Sequence, residues 1–473
     1  MRRLLWQFAL LLLPVCAFAQ GNPTISKNFT PKIKGIFQSF KLNDHVSIVQ
    51  TNIDDENFEL IAVNDKMEVL WRTSFKGYAF GADKFKGHIL AFAATSYSEK
   101  KGYAGPYTGY FVNETTGKLM LQKEIYNDKP SDKKEVAIAY FTGDGAYCNL
   151  AVEQVDKDTR FFPTDKINTS NDIKLMSLNE KLEIVNTRHI IPEGTFVNLT
   201  YNNNGDLFLF VLQDNKTVKV SKYEAGKTDA SGSIIQDIDV ANKPEIDYNS
   251  RFVFPSPTNP NVVYFTLTHN NPDKDHELTV GKLDFSTHKG QIVNEVFSGK
   301  HVRDIEKSYV PFDKKLDKPN LGYYHEVRHL EEYNGTLLVT LSEWGAGGNF
   351  SFGELSVVIN GYDLDLKPKF QQVLPTHYGF YFPFFTGYHT GNNSLYVVSN
   401  TASGRSLIVL YGKLDLTTGN WEKLEKLPKG DLGNFDYSDY HVIWFTKEFM
   451  VPYVDLKNFV KVTQVINLAS YQY

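Results

Sequence analysis

The sequence predicts an all-β protein built from one repeated unit of about 55 residues. Short runs of Val, Ile, Tyr, Phe and Thr alternate along the chain with Asn, Asp, Gly and Pro, a pattern that is typical of strands and turns. A nearly continuous apolar run recurs at similar intervals, and such runs are expected where a strand is covered on both faces. The recurring runs are residues 45–51, 88–95, 147–154, 206–213, 261–268, 336–343, 394–401 and 449–456.

Each apolar run lies within a pattern of two hairpins. A strand and a turn rich in Asn and Gly precede the run, as at residues 201–206 and 333–336. A second hairpin follows the run, and its turn reads Asx-x-x-Thr-Gly at residues 113–117 and 415–419. Asx turns, together with a glycine that tolerates positive φ, explain this choice of residues. The unit is therefore four antiparallel strands.

One four-stranded sheet cannot bury both of its faces, whereas radial stacking of such sheets covers them. On this repeat the chain resembles a β-propeller, and the resemblance implies one domain over residues 20–473 with eight four-stranded blades, or seven if two units merge. The Gly-His…Trp-Asp pattern of WD repeats is absent. The Asx-x-x-Thr-Gly turns resemble those of quinoprotein-type blades, but only Trp71 and Trp421 match their regular Trp. We expect residues 23–34 to pair with the C-terminal strand at 460–468 and close the ring.

The N-terminus has the pattern of an export signal over residues 1–19. Arg2 and Arg3 are followed by an apolar stretch at residues 4–13 and by a small-x-small site, which predicts cleavage near Ala19. This predicts a secreted protein, or one in the periplasm or outer envelope of a bacterium. A lipoprotein signal at Cys16 is the alternative, which the bulky residue before that cysteine weakens.

Composition limits the classes of function. After cleavage Cys148 is the only cysteine, so an intramolecular disulfide is excluded and stability must come from the core. The formal net charge is -5, and no run of basic residues suggests a nucleic-acid partner. No later segment is long and apolar enough for a transmembrane helix. We expect a monomer that needs no cofactor.

One stretch has the pattern of a zinc site. Residues 325–329, His-Glu-Val-Arg-His, match the H-E-x-x-H signature, in which two histidines on one helix face bind Zn²⁺ and the Glu is the general base. The stretch falls where the other units have their first strand. On a strand, His325 and His329 would lie about 13 Å apart, too far for one metal ion. We therefore predict a strand, and we keep a zinc peptidase with Glu326 as its base as the alternative.

The loops between second and third strands are the other candidate region. They are long and polar and carry aromatic side chains, a composition that suits binding of sugars or peptides at a rim, unless the rings only fill gaps under the loops. The candidate binding residues are Tyr103, Tyr107, Trp344, Phe350 and Arg405.

These observations predict a binding or scaffold module for a glycan, peptide or protein partner at the cell envelope, rather than an enzyme. The alternative is an envelope hydrolase, either the zinc peptidase or a glycan-acting enzyme in the central pocket. Carboxylates or histidines that converge at the ring axis would favour the enzyme.

Overall fold

The structure is a computed structural model. It describes residues 23–33, 37–98, 102–127, 134–155, 170–213, 216–238, 246–269, 275–309, 316, 319, 321, 324–347, 351–376, 386–403, 406–428, 435–436, 442–455 and 464–472.

The strands follow one another along the chain as antiparallel meanders of four. Sheet 1 contains β2 (Phe37–Lys41), β3 (Val46–Asn52), β4 (Asn57–Asn64) and β5 (Val69–Lys76). Sheet 2 contains β6 (Tyr78–Phe85), β7 (His88–Ser98), β8 (Gly102–Val112) and β9 (Leu119–Tyr126). Sheet 3 contains β10 (Lys134–Phe141), β11 (Cys148–Val155), β12 (Ser170–Leu178) and β13 (Ile184–Ile190), and one parallel bridge from β10 to β8 joins it to sheet 2.

The same order continues through the second half of the chain. Sheet 4 contains β14 (Thr195–Tyr201), β15 (Leu207–Gln213), β16 (Thr217–Tyr223) and β17 (Gly232–Asp237). Sheet 5 contains β18 (Ile246–Pro255), β19 (Val262–His269), β20 (His276–Asp284) and β21 (Lys289–Phe297). Sheet 6 contains β22 (Tyr324–Tyr333), β23 (Thr336–Gly347), β24 (Ser351–Tyr362) and β25 (Pro368–Pro375). Sheet 7 contains β26 (Thr386–Gly391), β27 (Ser394–Ser403), β28 (Ser406–Asp415) and β29 (Trp421–Lys426).

Sheet 8 takes strands from both ends of the chain. It contains β32 (Glu448–Asp455) and β33 (Gln464–Gln472), and β1 (Thr24–Ile33) pairs antiparallel with β33 in a register that sets Thr24 opposite Ser470. The short strands β30 (Phe435–Asp436) and β31 (Ile443–Trp444) pair with β32. The expected pairing between the N-terminal segment and the C-terminal strand is thus confirmed, whereas the blade count of eight and the closure of the ring stay predictions.

The apolar runs of the sequence are the second strands of the sheets, as the repeat predicts. β15 is buried over six of its seven residues and β19 over all eight. The outermost strands are more exposed. In β9, for example, seven of the eight residues are exposed or half-buried. A second strand has a neighbouring sheet on both faces, so it can bury both rows of its side chains, which explains the lack of alternation in its sequence.

Hydrophobic clusters join each sheet to the next. Sheets 5 and 6 share a cluster that includes Tyr264, Val280, Val339 and Val358. Sheet 8 packs on sheet 1 in the same way, where Ile466 and Leu468 lie in one cluster with side chains of β3 and β4. The core of the molecule is therefore a series of interfaces between sheets, and apolar burial in them stabilises the fold.

The Asx-x-x-Thr-Gly turns dock on the sheet that precedes them. The side chain of Asn113 accepts hydrogen bonds from the backbone N–H groups of Thr115 and Thr116, and Gly117 has φ +67°. The Trp71 indole donates to the carbonyl of Glu114, 3.0 Å away, and a Cβ on Gly117 would approach that ring to 2.4 Å. Glycine is required here both for the backbone angle and for the contact with the ring.

The long interval before the sixth apolar run contains a helix. Helix α1 (Gly299–Ser308) follows β21, and the Ser298 hydroxyl accepts a hydrogen bond from the His301 N–H at its start. The sequence predicts an insertion at this place but not its helical structure. Nowhere in the described part of the chain does a helix have the length and apolarity that crossing a bilayer needs.

Candidate functional site

The His-Glu-Val-Arg-His stretch lies on a strand, as predicted, and the two histidines point to different neighbours. The ring of His325 lies 5.0 Å from that of His276 and 4.4 Å from that of Phe297, both in sheet 5. The ring of His329 stacks on Tyr388 of sheet 7 at 4.9 Å. Sheet 6 therefore separates the two imidazoles, and the structure does not bring them together as ligands of one metal ion.

A β-bulge explains this placement. Val327 pairs with Leu341 and His329 pairs with the adjacent Thr340, so Arg328 is the extra residue. An extra residue shifts the alternation of side chains by one position. The expectation from regular strand geometry, in which both histidines share one face about 13 Å apart, is therefore wrong in detail. Glu326, the base of the alternative reading, forms an ion pair with Arg328 at 3.0 Å.

His325 belongs to a buried polar group between sheets 5 and 6. Its Nε2 lies 2.6 Å from Oε2 of Glu343, and both side chains are almost fully buried. Burial, with a smaller contribution from nearby His325, lowers the pKa of neighbouring His276 to about 4. Burial alone lowers the pKa of His269, also in sheet 5, to about 4. His276 faces His325 in this interface. His269 lies on the other face of sheet 5, in line with Leu267, which packs towards sheet 4.

Glu295 ties helix α1 to the same interface. Its carboxylate contacts His301 Nε2 at 3.2 Å and accepts hydrogen bonds from the Tyr362 hydroxyl at 2.9 Å and the Gln371 amide at 2.7 Å. Burial acts to raise the pKa of Glu295, but these hydrogen bonds outweigh it and the net shift is downward. The arrangement fixes the helix against sheets 5 and 6, which is a structural role.

The sequence predicts one of the loops between second and third strands at residues 96–109, but most of this region continues the hairpin of β7 and β8. Tyr97 on β7 pairs with Tyr103 on β8, and their rings lie 5.1 Å apart. The ring of Tyr78 stacks on Tyr97 at 4.9 Å. Burial raises the pKa of Tyr103 to about 12, with smaller contributions from Tyr78 and Tyr97. Tyr103 is half-buried and contributes to an aromatic cluster at this edge of sheet 2.

Tyr107 is fully buried, so the expectation of an exposed ring is not met there. Its hydroxyl donates to Oε2 of Glu135 in sheet 3 at 2.9 Å, and its ring lies parallel to that of Tyr126 at 6.1 Å. Burial raises the pKa of Tyr107, and the Glu135 carboxylate raises it further. The ring fills the interface between sheets 2 and 3 because β8 continues past the predicted loop.

The other predicted binding residues do not join this cluster. Trp344 lies on β23 of sheet 6, where it pairs with Tyr324 and Glu354. Phe350 and Arg405 lie outside the described residues. The structure thus brings Tyr103 and Tyr107 onto one strand and places Trp344 on a distant sheet.

A cavity of about 330 Å³ opens at the rim between sheets 2 and 3. It lies beside Tyr126, at the end of β9, and its floor is a face of sheet 3. The residues that line it are Tyr126, Val152, Gln154, Asp172, Lys174, Thr187 and His189. We call this space the rim cavity. Its size falls at the lower end of the roughly 300–1,000 Å³ that is usual for ligand sites.

Strand register explains why polar side chains meet there. Gln154 pairs with Asp172 across β11 and β12, and Lys174 pairs with His189 across β12 and β13. Directly opposed residues of antiparallel strands project from the same face, as do residues two positions apart. Residues from three strands therefore line one surface.

The cavity holds a cation that pairs with no anionic group of the described residues. Nζ of Lys174 lies 4.3 Å from the centroid of the Tyr126 ring, which attracts it through the π-face. Asp172 contacts His189 Nε2 rather than Lys174. Among the residues that the structure describes, no carboxylate forms an ion pair with Lys174. The ammonium group is thus held in place and available to an anionic ligand.

Sequence reasoning missed this cavity. Lys174 and Asp172 alternate on one strand, which indicates a common face, but Tyr126 comes from another repeat and His189 from another strand. In the sequence, no local pattern distinguishes His189 from other strand residues. The one local signal of the site was that Asp172 and Lys174 lie two positions apart on a predicted strand and so share a face.

A second cavity of about 400 Å³ lies among the first strands of sheets 1, 2 and 3. Gln38 and Asp83 line it, and burial raises the pKa of Asp83. Elsewhere on first strands, Glu331 contacts His329 Nε2 at 2.9 Å and accepts a hydrogen bond from Thr390. These carboxylates have separate local partners. In the described ranges, they form no group of three with histidines or cysteines that could hold a metal ion.

Comparison with known proteins bears on the fold. No protein-family model and no curated protein matches the chain. Among solved structures, the chain is similar to the WD40 domain of SCAP from fission yeast, with 8% identity, 95% of this chain and 98% of that chain covered, and a TM-score of 0.44. The fold is that of a β-propeller. The resemblance drawn from the repeat is confirmed at the level of the fold.

Two further similarities involve peptidases. A prolyl endopeptidase matches with 9% identity and a TM-score of 0.44 over 90% of this chain, which spans only 55% of that chain. The β-propeller domain of the Trilobed protease from Pyrococcus furiosus matches with 11% identity and a TM-score of 0.39, over 87% of this chain and 100% of that one. At such identities the likeness concerns the fold alone.

Proposed function

We propose that this protein is an exported β-propeller that binds a ligand at the cell envelope through the rim cavity. The observation that carries the proposal is the Lys174 ammonium, which is oriented by Tyr126 in an open cavity and has no carboxylate partner among the described residues. A positive charge that lies in an open cavity and pairs with no described carboxylate is available to a ligand. The predicted export signal over residues 1–19 supports a role outside the cytoplasm.

Catalysis at the His-Glu-Val-Arg-His stretch gains no support from the geometry, because His325 and His329 contact opposite neighbours of sheet 6. Sheet 2, which supplies Tyr126 to the cavity, also carries the aromatic pair of Tyr97 and Tyr103 on the hairpin of β7 and β8. A scaffold that presents one polar cavity on rigid strands needs no moving part to bind its ligand.

The test is a binding screen on glycan and peptide arrays with the full-length mature chain. Wild type is compared with Lys174→Gln and with Lys118→Gln, a control that removes an exposed lysine at the opposite end of β9. We expect at least one ligand class that wild type and Lys118→Gln retain and Lys174→Gln loses. Identical profiles for all three proteins, including three blank arrays, would refute the proposal.

A further inference from the structure

The charges of the rim cavity restrict what it can bind. Lys174 supplies one full positive charge on the floor of the cavity. Asp172 supplies a negative charge, which His189 contacts through Nε2. A dianion such as phosphate would meet one free cation and a nearby carboxylate, and the described lining holds no Arg for bidentate binding. The balance fits a ligand with a single negative charge.

The remaining polar groups need hydrogen-bonding partners. The Gln154 amide is half-buried in the lining and makes no hydrogen bond within the described structure. Asp172 can accept a further hydrogen bond from a hydroxyl group, because a carboxylate has more acceptor positions than one imidazole uses. A ligand that carries several hydroxyl groups satisfies these residues, whereas a plain carboxylate does not.

The aromatic ring of the cavity is already in use. Lys174 lies over the face of Tyr126, and the Tyr107 ring packs parallel to it. A neutral sugar that depends on stacking against a free aromatic face would have to displace the ammonium group. Recognition at this place therefore relies on charge and hydrogen bonds, and Tyr126 serves to position Lys174.

Building on the proposed function, we infer that the rim cavity binds a sugar acid. The carboxylate of the sugar forms an ion pair with Lys174, and its ring hydroxyls bond to Gln154 and Asp172. A volume of about 330 Å³ accommodates a compact ligand of this kind. An acidic amino-acid side chain offers Lys174 the same charge but leaves the hydroxyl partners unmatched.

The experiment titrates the full-length mature protein with D-glucuronate, D-glucose, inorganic phosphate and N-acetylglutamate, with binding followed by calorimetry or by ligand-observed NMR. We expect glucuronate to bind at least tenfold more tightly than each of the other three. Lys174→Gln should reduce glucuronate binding at least tenfold, to the level of glucose. Lys118→Gln should bind glucuronate as wild type does.

The outcomes separate this inference from the function on which it rests. Equal binding of glucose and glucuronate, tighter binding of phosphate or N-acetylglutamate, or unchanged binding by Lys174→Gln would each overturn the sugar-acid assignment. If the array screen still shows a ligand that depends on Lys174, the binding function stands and only the ligand class is wrong. If no ligand depends on Lys174 in either experiment, both proposals fail.

Discussion

The interface between sheets 2 and 3 and the interface between sheets 5 and 6 both contain polar side chains, but they use them differently. Between sheets 5 and 6, His325 contacts Glu343 at 2.6 Å with almost no exposure to water. Between sheets 2 and 3, Lys174 lies over an aromatic ring in an open cavity. In the first interface the charged and polar side chains pair with each other, whereas in the second the Lys174 ammonium remains available to another molecule. Pairing, rather than polarity, distinguishes a structural group from a binding group.

The largest effect on stability is expected when the buried contact between His325 and Glu343 is removed. Glu343→Ala removes the carboxylate that His325 contacts, and we expect a loss of about 3–5 kcal/mol in the free energy of unfolding, as for other broken buried pairs. Urea unfolding followed by tryptophan fluorescence measures it. The double variant His325→Leu with Glu343→Leu is the control and should recover most of the loss, since it removes both polar groups together. A single variant as stable as wild type would show that the pair is not structural.

The pH dependence of stability tests two buried histidines of sheet 5, His276 on the face towards sheet 6 and His269 on the opposite face. His269 and His276 have pKa values of about 4 in the folded protein, below the value of about 6.5 in an unfolded chain. The unfolded state therefore binds more protons as the pH falls from about 6.5 to about 4, and stability should decrease by about 1.4 kcal/mol per pH unit for each histidine.

Unfolding free energies at several pH values provide the measurement. His269→Gln and His276→Gln should each reduce the slope between pH 6.5 and 4 by one histidine's share, whereas a slope that neither variant changes would contradict the assignment. Above about pH 6.5 both histidines are neutral in both states, so their contribution to the slope should vanish.

A smaller effect is expected between sheets 2 and 3. Tyr107→Phe removes the hydroxyl that donates to Glu135 at 2.9 Å, and we expect a loss of about 1.5 kcal/mol because the acceptor is charged. Tyr97→Phe is the matched control, since no hydrogen bond of its hydroxyl is found in the described structure. Chemical denaturation of both variants measures the difference, and equal stabilities would argue that the Tyr107 hydroxyl is dispensable.

The smallest effect on stability is expected for Lys174, the residue whose substitution should weaken ligand binding most. Lys174→Gln should change the free energy of unfolding by less than about 1 kcal/mol, because it removes the cation–π contact with Tyr126 but no ion pair with a described carboxylate. Lys222→Gln provides the contrast, since Lys222 forms a largely buried ion pair with Asp206 at 3.1 Å and should be destabilising. Strong destabilisation by Lys174→Gln would contradict this prediction and would indicate that Lys174 has a structural role rather than a binding role.

The sequence was sufficient to predict the strands and their order, because burial on both faces leaves a local mark in apolar runs such as β19. The Asx turn at Asn113 and the hairpin at Asn334-Gly335 were likewise readable from local residues. The same local logic explains why 325–329 was expected on a strand, and β22 confirms it.

Features that depend on contacts between repeats could not be predicted in this way. The bulge at Arg328 reverses the face of His329, and nothing in the local residues marks it. The extended hairpin at Tyr97 and Tyr103 depends on a cross-strand aromatic pair, which replaced the loop expected from its polar neighbours. The rim cavity joins Tyr126 of one repeat to Lys174 of the next, so its chemistry becomes visible only when the sheets are packed together.

The pairing of β1 with β33 has a consequence for the time course of folding. The other described sheets take their four strands from one continuous part of the chain, so their contacts are local and can form early. Sheet 8 combines β1 with β33, which lie far apart in the sequence. Bringing these strands together closes a very long loop, and its entropic cost opposes the pairing until the contacts of sheet 8 have formed. During synthesis, β1 must remain without its partner strand until β33 has been made. That edge is the surface on which a nascent chain of this protein most needs protection from wrong pairing.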